Sequence, residues 1–143
     1  MTEPRRALEV TLQIPIRTYD IDFAGVVSNI VYIRWLEDLR IEIMNRHYPI
    51  AEQIQDGFAP VVLQTNIDYK QSLKMGDRPT SSMWVASLET LRWTVNAEIS
   101  NDGKVSEIAQ QMGIFVNLQT NKPICVPTRL QQQYKDSLSQ SLL

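Results

Sequence analysis

Polar and apolar positions alternate in EVTLQIPIRTYD, residues 9–20, with Val10, Leu12, Ile14 and Ile16 on one side and Thr11, Gln13 and Arg17 on the other. A period of two predicts a strand with one buried face. Pro15 removes a ladder donor, so this strand is expected at a sheet edge, or with that nitrogen turned from its neighbour. From Ser28 to about His47 the period becomes helical. Ser28 or Asn29 can cap the start, and Pro49 ends the helix. IAEQIQDG predicts one further helical turn before Gly57. Everything beyond reads as strands. PVVLQTNIDYKQ sets Leu63, Thr65, Ile67 and Tyr69 on one side, and TSSMWVASLETL follows the turn-rich KMGDRP. RWTVNAEIS sets Trp93, Val95, Ala97 and Ile99 against Arg92, Thr94, Asn96 and Glu98. NDGK is a hairpin turn, and VSEIAQQMGIFVNLQT alternates through Ile108, Gln110, Met112, Ile114, Val116 and Leu118. Gly113 within it marks a bulge or a close backbone approach. The pattern predicts one α+β domain over residues 1–143: a strand, a long helix, then a meander of four strands. A polar tail from about Gln131 is expected to fray.

On a helical projection, Tyr32, Leu36, Leu39 and Ile43 form the apolar stripe, with Arg34, Asp38, Glu42 and Asn45 roughly opposite. Between them, Ile33 and Met44 share a flank with Glu37 and Arg40. A helix with one wet face has no reason to mix these groups, so a cover on more than one side is expected. Glu37 and Arg40, three apart, can pair. They read either as a structural ion pair at a subunit contact or as part of a site.

Composition narrows the class. A net charge of −2 argues against a broad nucleic-acid surface. No apolar run is long enough for a bilayer. The first residues lack the apolar core of a signal peptide. One cysteine, Cys125, and one histidine, His47, leave no multi-cysteine or His-cluster metal site. A cytoplasmic protein is expected, with no metal, no cofactor and no membrane contact.

The chemistry-bearing stretch is TYDIDFAGVVSNIVYIRWLEDLR, residues 18–40. The spacing Tyr19-Asp20-x-Asp22-x-x-Gly25-x-Val27-x-Asn29-x-x-Tyr32-x-x-Trp35-x-Glu37-x-x-Arg40 resembles the hotdog-fold acyl thioesterases of the 4-hydroxybenzoyl-CoA thioesterase type. The likeness runs through about Arg129. It implies a five-stranded antiparallel sheet wrapped around one long central helix, in dimers that join their sheets and share active sites, with homotetramers expected. It implies Asp22 as the catalytic carboxylate, and Gly25, Val26 and Val27 as the turn whose N–H groups face the thioester carbonyl. Asn29, Tyr32, Glu37 and Arg40 match substrate-positioning or helix-fixing places, as does Trp35. Many relatives carry histidine just after the glycine. This chain has Val26, Val27, Ser28 and Asn29 there, so a histidine-oriented step is not implied.

Elementary chemistry points the same way. Thioester hydrolysis needs a nucleophile or base and a stabilised oxyanion. A carboxylate beside a glycine at a helix start, where unpaired N–H groups and the positive dipole end lie, supplies both. Read without the resemblance, Asp22 equally well steadies a turn, and Asp20 reads as structural. Lys70, Lys74, Arg78 and Arg129 are candidates for coenzyme A phosphates, or are solvated charges. Tyr69, Trp84 and Trp93 read as packing, His47 as a helix-terminal group and Cys125 as a small apolar residue. The expectation is an acyl-CoA thioesterase acting on an aromatic or fatty acyl thioester. The alternatives are an acyl carrier protein thioester as substrate, or a non-catalytic acyl-thioester binder on the same fold.

Overall fold

The computed structural model describes residues 6–140. Its elements are β1 (Ala7–Gln13), α1 (Asn29–His47), α2 (Ile50–Gln55), β2 (Phe58–Tyr69), β3 (Thr80–Leu88), β4 (Trp93–Asn101), β5 (Lys104–Asn117), β6 (Pro123–Ile124) and α3 (Thr128–Ser139). All strand pairs are antiparallel, in the order β1-β3-β4-β5-β2, and β6 adds a two-residue pair to β5. The five-stranded expectation therefore gains a short sixth strand.

The helix and most strands follow from periodicity. Val31, Tyr32, Trp35, Leu36, Leu39 and Ile43 of α1 are buried against the sheet. The strand face Trp93, Val95, Ala97, Ile99 is buried as expected. The β4–β5 turn places Asp102 at φ 51° and Gly103 at φ 75°, the two left-handed residues that a tight hairpin needs. Tyr48 terminates α1, and the turn expected after Pro49 is α2. Strand β1 is indeed an edge. It ends at Gln13, so Pro15 falls outside the ladder.

Three expectations are corrected. The four later strands are not one meander: β3, β4 and β5 are, but β2 pairs with β5 at the far edge. Within β2 the register shifts between Val62 and Gln64. This bulge turns Val62 toward the core and leaves Leu63 60% exposed. Third, the tail after Pro127 is a helix, not a frayed end. Leu130 is buried, Tyr134 packs on the core, and the Leu8 N–H donates to Ser137 Oγ at 3.0 Å. The last three residues of that tail lie outside the described residues.

Gly113 sits opposite the bulge. A Cβ there would overlap the Val61 carbonyl oxygen and the Trp93 ring, so the close approach expected at this glycine is real. The inner face of β5 carries Glu107, Ala109, Gln111, Gly113 and Phe115, while the even-numbered Ile108 is exposed. No helix among the described residues is long and apolar enough to cross a membrane.

Candidate active site

Residues 17–28 form a compact loop before α1. Asp20 is buried. Its Oδ2 accepts the Arg17 N–H at 2.8 Å, and its backbone carbonyl accepts the Ser28 N–H at 2.9 Å. These bonds close the loop and give Asp20 a structural task. An antiparallel bridge between Ile21 and Val27 then narrows the loop to Asp22–Val26. Gly25, at φ +81°, turns the chain in the left-handed region that other residues rarely occupy.

Asp22 is half-buried at the tip. Its Oδ1 accepts the Ala24 N–H at 2.8 Å and, more loosely, the Val26 N–H at 3.4 Å. Its Oδ2 has no partner among the described residues. The carboxylate is therefore oriented through one oxygen and open at the other. The loop and the first turn of α1 carry exposed apolar groups: Tyr19, Phe23 and Ile30, at 78%, 104% and 61% exposure. Such groups favour an apolar ligand or a covering chain.

The donors expected to face an oxyanion are placed unequally. The Gly25 N–H donates to the Asp22 carbonyl at 3.0 Å, and the Val27 N–H to the Leu73 carbonyl at 2.8 Å. Of the three, Val26 alone is loosely held. Free donors lie just beyond. Ser28 is the N-cap but makes no side-chain cap bond, and the N–H groups of Asn29 and Ile30 have no acceptor among the described residues. They are the first orphan donors of α1, at its positive dipole end.

The remaining candidates divide between two ends of the helix. Asn29 is exposed, and its carbonyl accepts the Tyr69 hydroxyl at 3.1 Å. Tyr32 is 2% exposed and lies under the helix start, out of reach of a ligand at the surface. Lys70, Lys74 and Arg78 are exposed on the loop after β2, which abuts the Asp22 loop through Val27 and Leu73. Arg129 is not with them. It lies at the other end of α1, bonded to Glu52 at 2.9 Å and stacked 4.4 Å from the Tyr48 ring centroid.

Glu37 and Arg40 stand about 12–17 Å of helical rise beyond Asn29. They do not form an ion pair. Glu37 is exposed, and Arg40 is half-buried with Nη1 donating to Gln111 Oε1. Gln111 Nε2 in turn donates to Thr65 Oγ1 at 3.0 Å. This chain of bonds ties α1 to β5 and β2. Burial lowers the Arg40 pKa, and the nearby Glu37 charge opposes that shift. Both residues line a cleft of about 210 Å³ with Ile41, Met44, Val62 and Trp93. Tyr69 and Trp93 pack as expected, Trp93 in the core and Tyr69 against Tyr32. Cys125 is exposed, against the expectation of a small apolar filler. His47 Nδ1 lies 3.2 Å from Gln133 Oε1.

Sequence reasoning missed Glu107 and Gln111, both buried on the helix-facing side of β5. The signal was available: the small and polar residues of that strand alternate as strictly as its large ones.

A family profile described as the thioesterase-like superfamily matches residues 16–134. No curated protein matches the chain. Among solved structures, a DHNA-CoA thioesterase from Staphylococcus aureus is 23% identical, with 94% of this chain and 91% of that chain covered and a TM-score of 0.81. A 1,4-dihydroxy-2-naphthoyl-CoA thioesterase from Synechocystis is 20% identical, with coverage of 90% and 96% and a TM-score of 0.81. A thioesterase from Thermus thermophilus, solved with coenzyme A and zinc, is 19% identical, with coverage of 90% and 93% and a TM-score of 0.78. At these identities the structures establish the hotdog fold. The profile spans most of the sequence, including the Asp22 loop and the whole of α1: the chain belongs to the thioesterase-like superfamily.

Proposed function

We propose that the protein hydrolyses an acyl-CoA thioester to the free acid and thiol. The observation that carries this reading is Asp22, fixed through Oδ1 by the Ala24 N–H with Oδ2 open at the mouth of α1. As general base, Oδ2 takes a proton from water while the water oxygen attacks the thioester carbonyl. The C–S bond then breaks, and the proton passes to the departing thiolate. As nucleophile, the same oxygen attacks the carbonyl carbon, the C–S bond breaks with loss of the thiolate, and water cleaves the resulting anhydride to the free acid and the Asp22 carboxylate, its proton passing to the thiolate. Val26, Asn29 and Ile30 offer the N–H groups suited to the oxyanion, with the Gly25 turn allowing close approach. The reaction needs water and no cofactor, coenzyme A being part of the substrate. Lys70, Lys74 and Arg78 are the cations suited to its phosphates. Arg129, held by Glu52, drops out of that set.

The similar structures named for naphthoyl-CoA substrates favour an aromatic acyl group over a fatty one, as in the 4-hydroxybenzoyl-CoA type. We place the protein in the cytoplasm as a homodimer or homotetramer. The outer edge of β2 is unpaired, and Ile30, Ile33 and Ile41 leave an exposed apolar stripe along α1. A two-fold contact there closes on itself and covers the flank of Glu37 and Arg40. The test is release of free thiol from aromatic acyl-CoA, fatty acyl-CoA and acyl carrier protein thioesters. Turnover of an aromatic acyl-CoA above the others is the expected result. Tight binding of every thioester without turnover would instead favour a non-catalytic binder, consistent with the loop N–H groups that already have partners.

A further inference from the structure

Glu107 on β5 is 1% exposed and lies opposite Ile99 of β4 and Tyr69 of β2. Directly paired residues share a face of the sheet. Ser81, Ile99, Glu107 and Tyr69 thus form one row beneath the first turns of α1. Tyr32 descends from α1 onto this row. Its ring centroid is 5.6 Å from that of Tyr69, and its hydroxyl is electrostatically coupled to the Glu107 carboxyl. In this arrangement Glu107 Oε2, the Tyr32 hydroxyl and the Ser81 hydroxyl are all buried, and none completes a regular hydrogen bond. The ionisable groups coupled to the carboxyl are Tyr32 from α1 and Tyr69 from β2. Strand β4 presents Ile99 and β3 presents Ser81, and Leu73 from the loop after β2 packs into the same cluster.

An ionised carboxylate in such a place is costly, so the group tends to keep its proton. Burial pushes the Glu107 carboxyl up to about 7, and the neighbouring Tyr32 hydroxyl pulls it the other way. The row is also where the start of α1 is held. The Tyr69 hydroxyl bonds Asn29 O, the Lys70 and Gln71 N–H groups bond the carbonyl of Ser106, and Leu73 O takes the Val27 N–H. These contacts run from Tyr69, paired with Glu107 across the sheet, and from Ser106, its chain neighbour, to the loop that carries Asp22.

We propose that Glu107 is a positioning residue for the Asp22 loop. As a neutral acid it lets the first turn of α1 and the loop after β2 settle together on the row. As a carboxylate it demands solvation, and the Val27–Leu73 link loosens. The kinetic consequence rests on the thioesterase reading above; the structural one does not.

The structural test follows backbone amide shifts of Gly25, Val27 and Leu73 by NMR in the wild type and in Glu107→Gln, from about pH 5.5 to about pH 8.5. The wild-type shifts should titrate together with a midpoint near 7 and stay flat in the variant. A wild type whose loop amides do not titrate, or a variant that titrates like it, overturns the proposal. Infrared spectroscopy of the wild type needs no variant. A buried carboxylic-acid band should be present at about pH 6 and bleached at about pH 8, and its absence at the lower pH overturns the proposal. In the kinetic arm, wild-type kcat/KM should fall about tenfold over that interval, and Glu107→Gln should remove the fall while keeping the acid-side rate. If no thioester is hydrolysed, the function is wrong and the NMR arm still decides Glu107.

Discussion

The Val27 N–H donates to the Leu73 carbonyl at 2.8 Å, joining the loop that carries Asp22 to the loop that carries Lys70, Lys74 and Arg78. Leu73 is 1% exposed and packs with Val27, Val31, Tyr32, Trp35 and Ile99. The carboxylate and the three cations thus rest on one small apolar cluster. Leu73→Ala should cost about 2–5 kcal/mol and lower turnover of coenzyme A substrates, whereas Lys74→Ala should raise KM with the melting temperature unchanged. Thermal melts beside steady-state kinetics separate the two.

Gly113→Ala should be among the most damaging single-methyl additions in the chain. The new Cβ meets a backbone carbonyl and an indole ring that itself donates to the Ile114 carbonyl at 3.1 Å. A loss of about 3 kcal/mol is expected, at the upper end for overpacking. Chemical denaturation measures it, and a loss under about 1 kcal/mol would contradict the close approach.

Arg40→Ala removes the donor to Gln111 Oε1 and leaves that buried acceptor open. The cost should be about 1–3 kcal/mol, against at most about 1 kcal/mol for an exposed ion pair with Glu37. A melt that does not move would show that the Arg40–Gln111–Thr65 chain adds nothing.

These residues show where sequence reading reached and where it stopped. The strand face Trp93, Val95, Ala97, Ile99 and the α1 stripe were legible because burial follows period two or 3.6 there. The place of β2 was not: a consecutive strand is expected beside its neighbour, and pairing with β5 depends on the path around the helix. Helix α3 was missed because TRLQQQYKDSLS is mostly polar, yet Leu130 and Tyr134, four apart behind Pro127, did carry the helical spacing. Glu107 was missed because an acid in a strand is ordinarily solvated, although its alternation with Ala109, Gln111 and Gly113 was there to read. Asp22 was singled out from its place before a glycine and a helix start together with the family resemblance. Its split between one held and one open oxygen needed coordinates.

The pH dependence of stability has a definite sign. The Glu107 carboxyl titrates near 7 in the fold and near 4.5 when unfolded. Between those values the folded state holds the extra proton, so stability from this group falls as pH rises from about 4.5 to about 7, then levels. Glu107→Gln has no such carboxyl. Relative to wild type it should gain about 2–3 kcal/mol between pH 5 and pH 8. Urea denaturation of both proteins across that range is the check, and a difference independent of pH would contradict it.

Light scattering should give at least twice the protomer mass, and Leu63→Asp, on the exposed bulge of β2, should shift the protein toward monomer. A wild-type monomer with full activity would end the shared-site account.

The most direct measurement is thiol release from the best acyl-CoA substrate by wild type and Asp22→Asn side by side, with a thermal melt of each. Asparagine keeps an oxygen for the Ala24 N–H and loses the basic one. The account predicts a kcat at least ~100-fold lower on an unchanged melt. Equal turnover by the two proteins would contradict it.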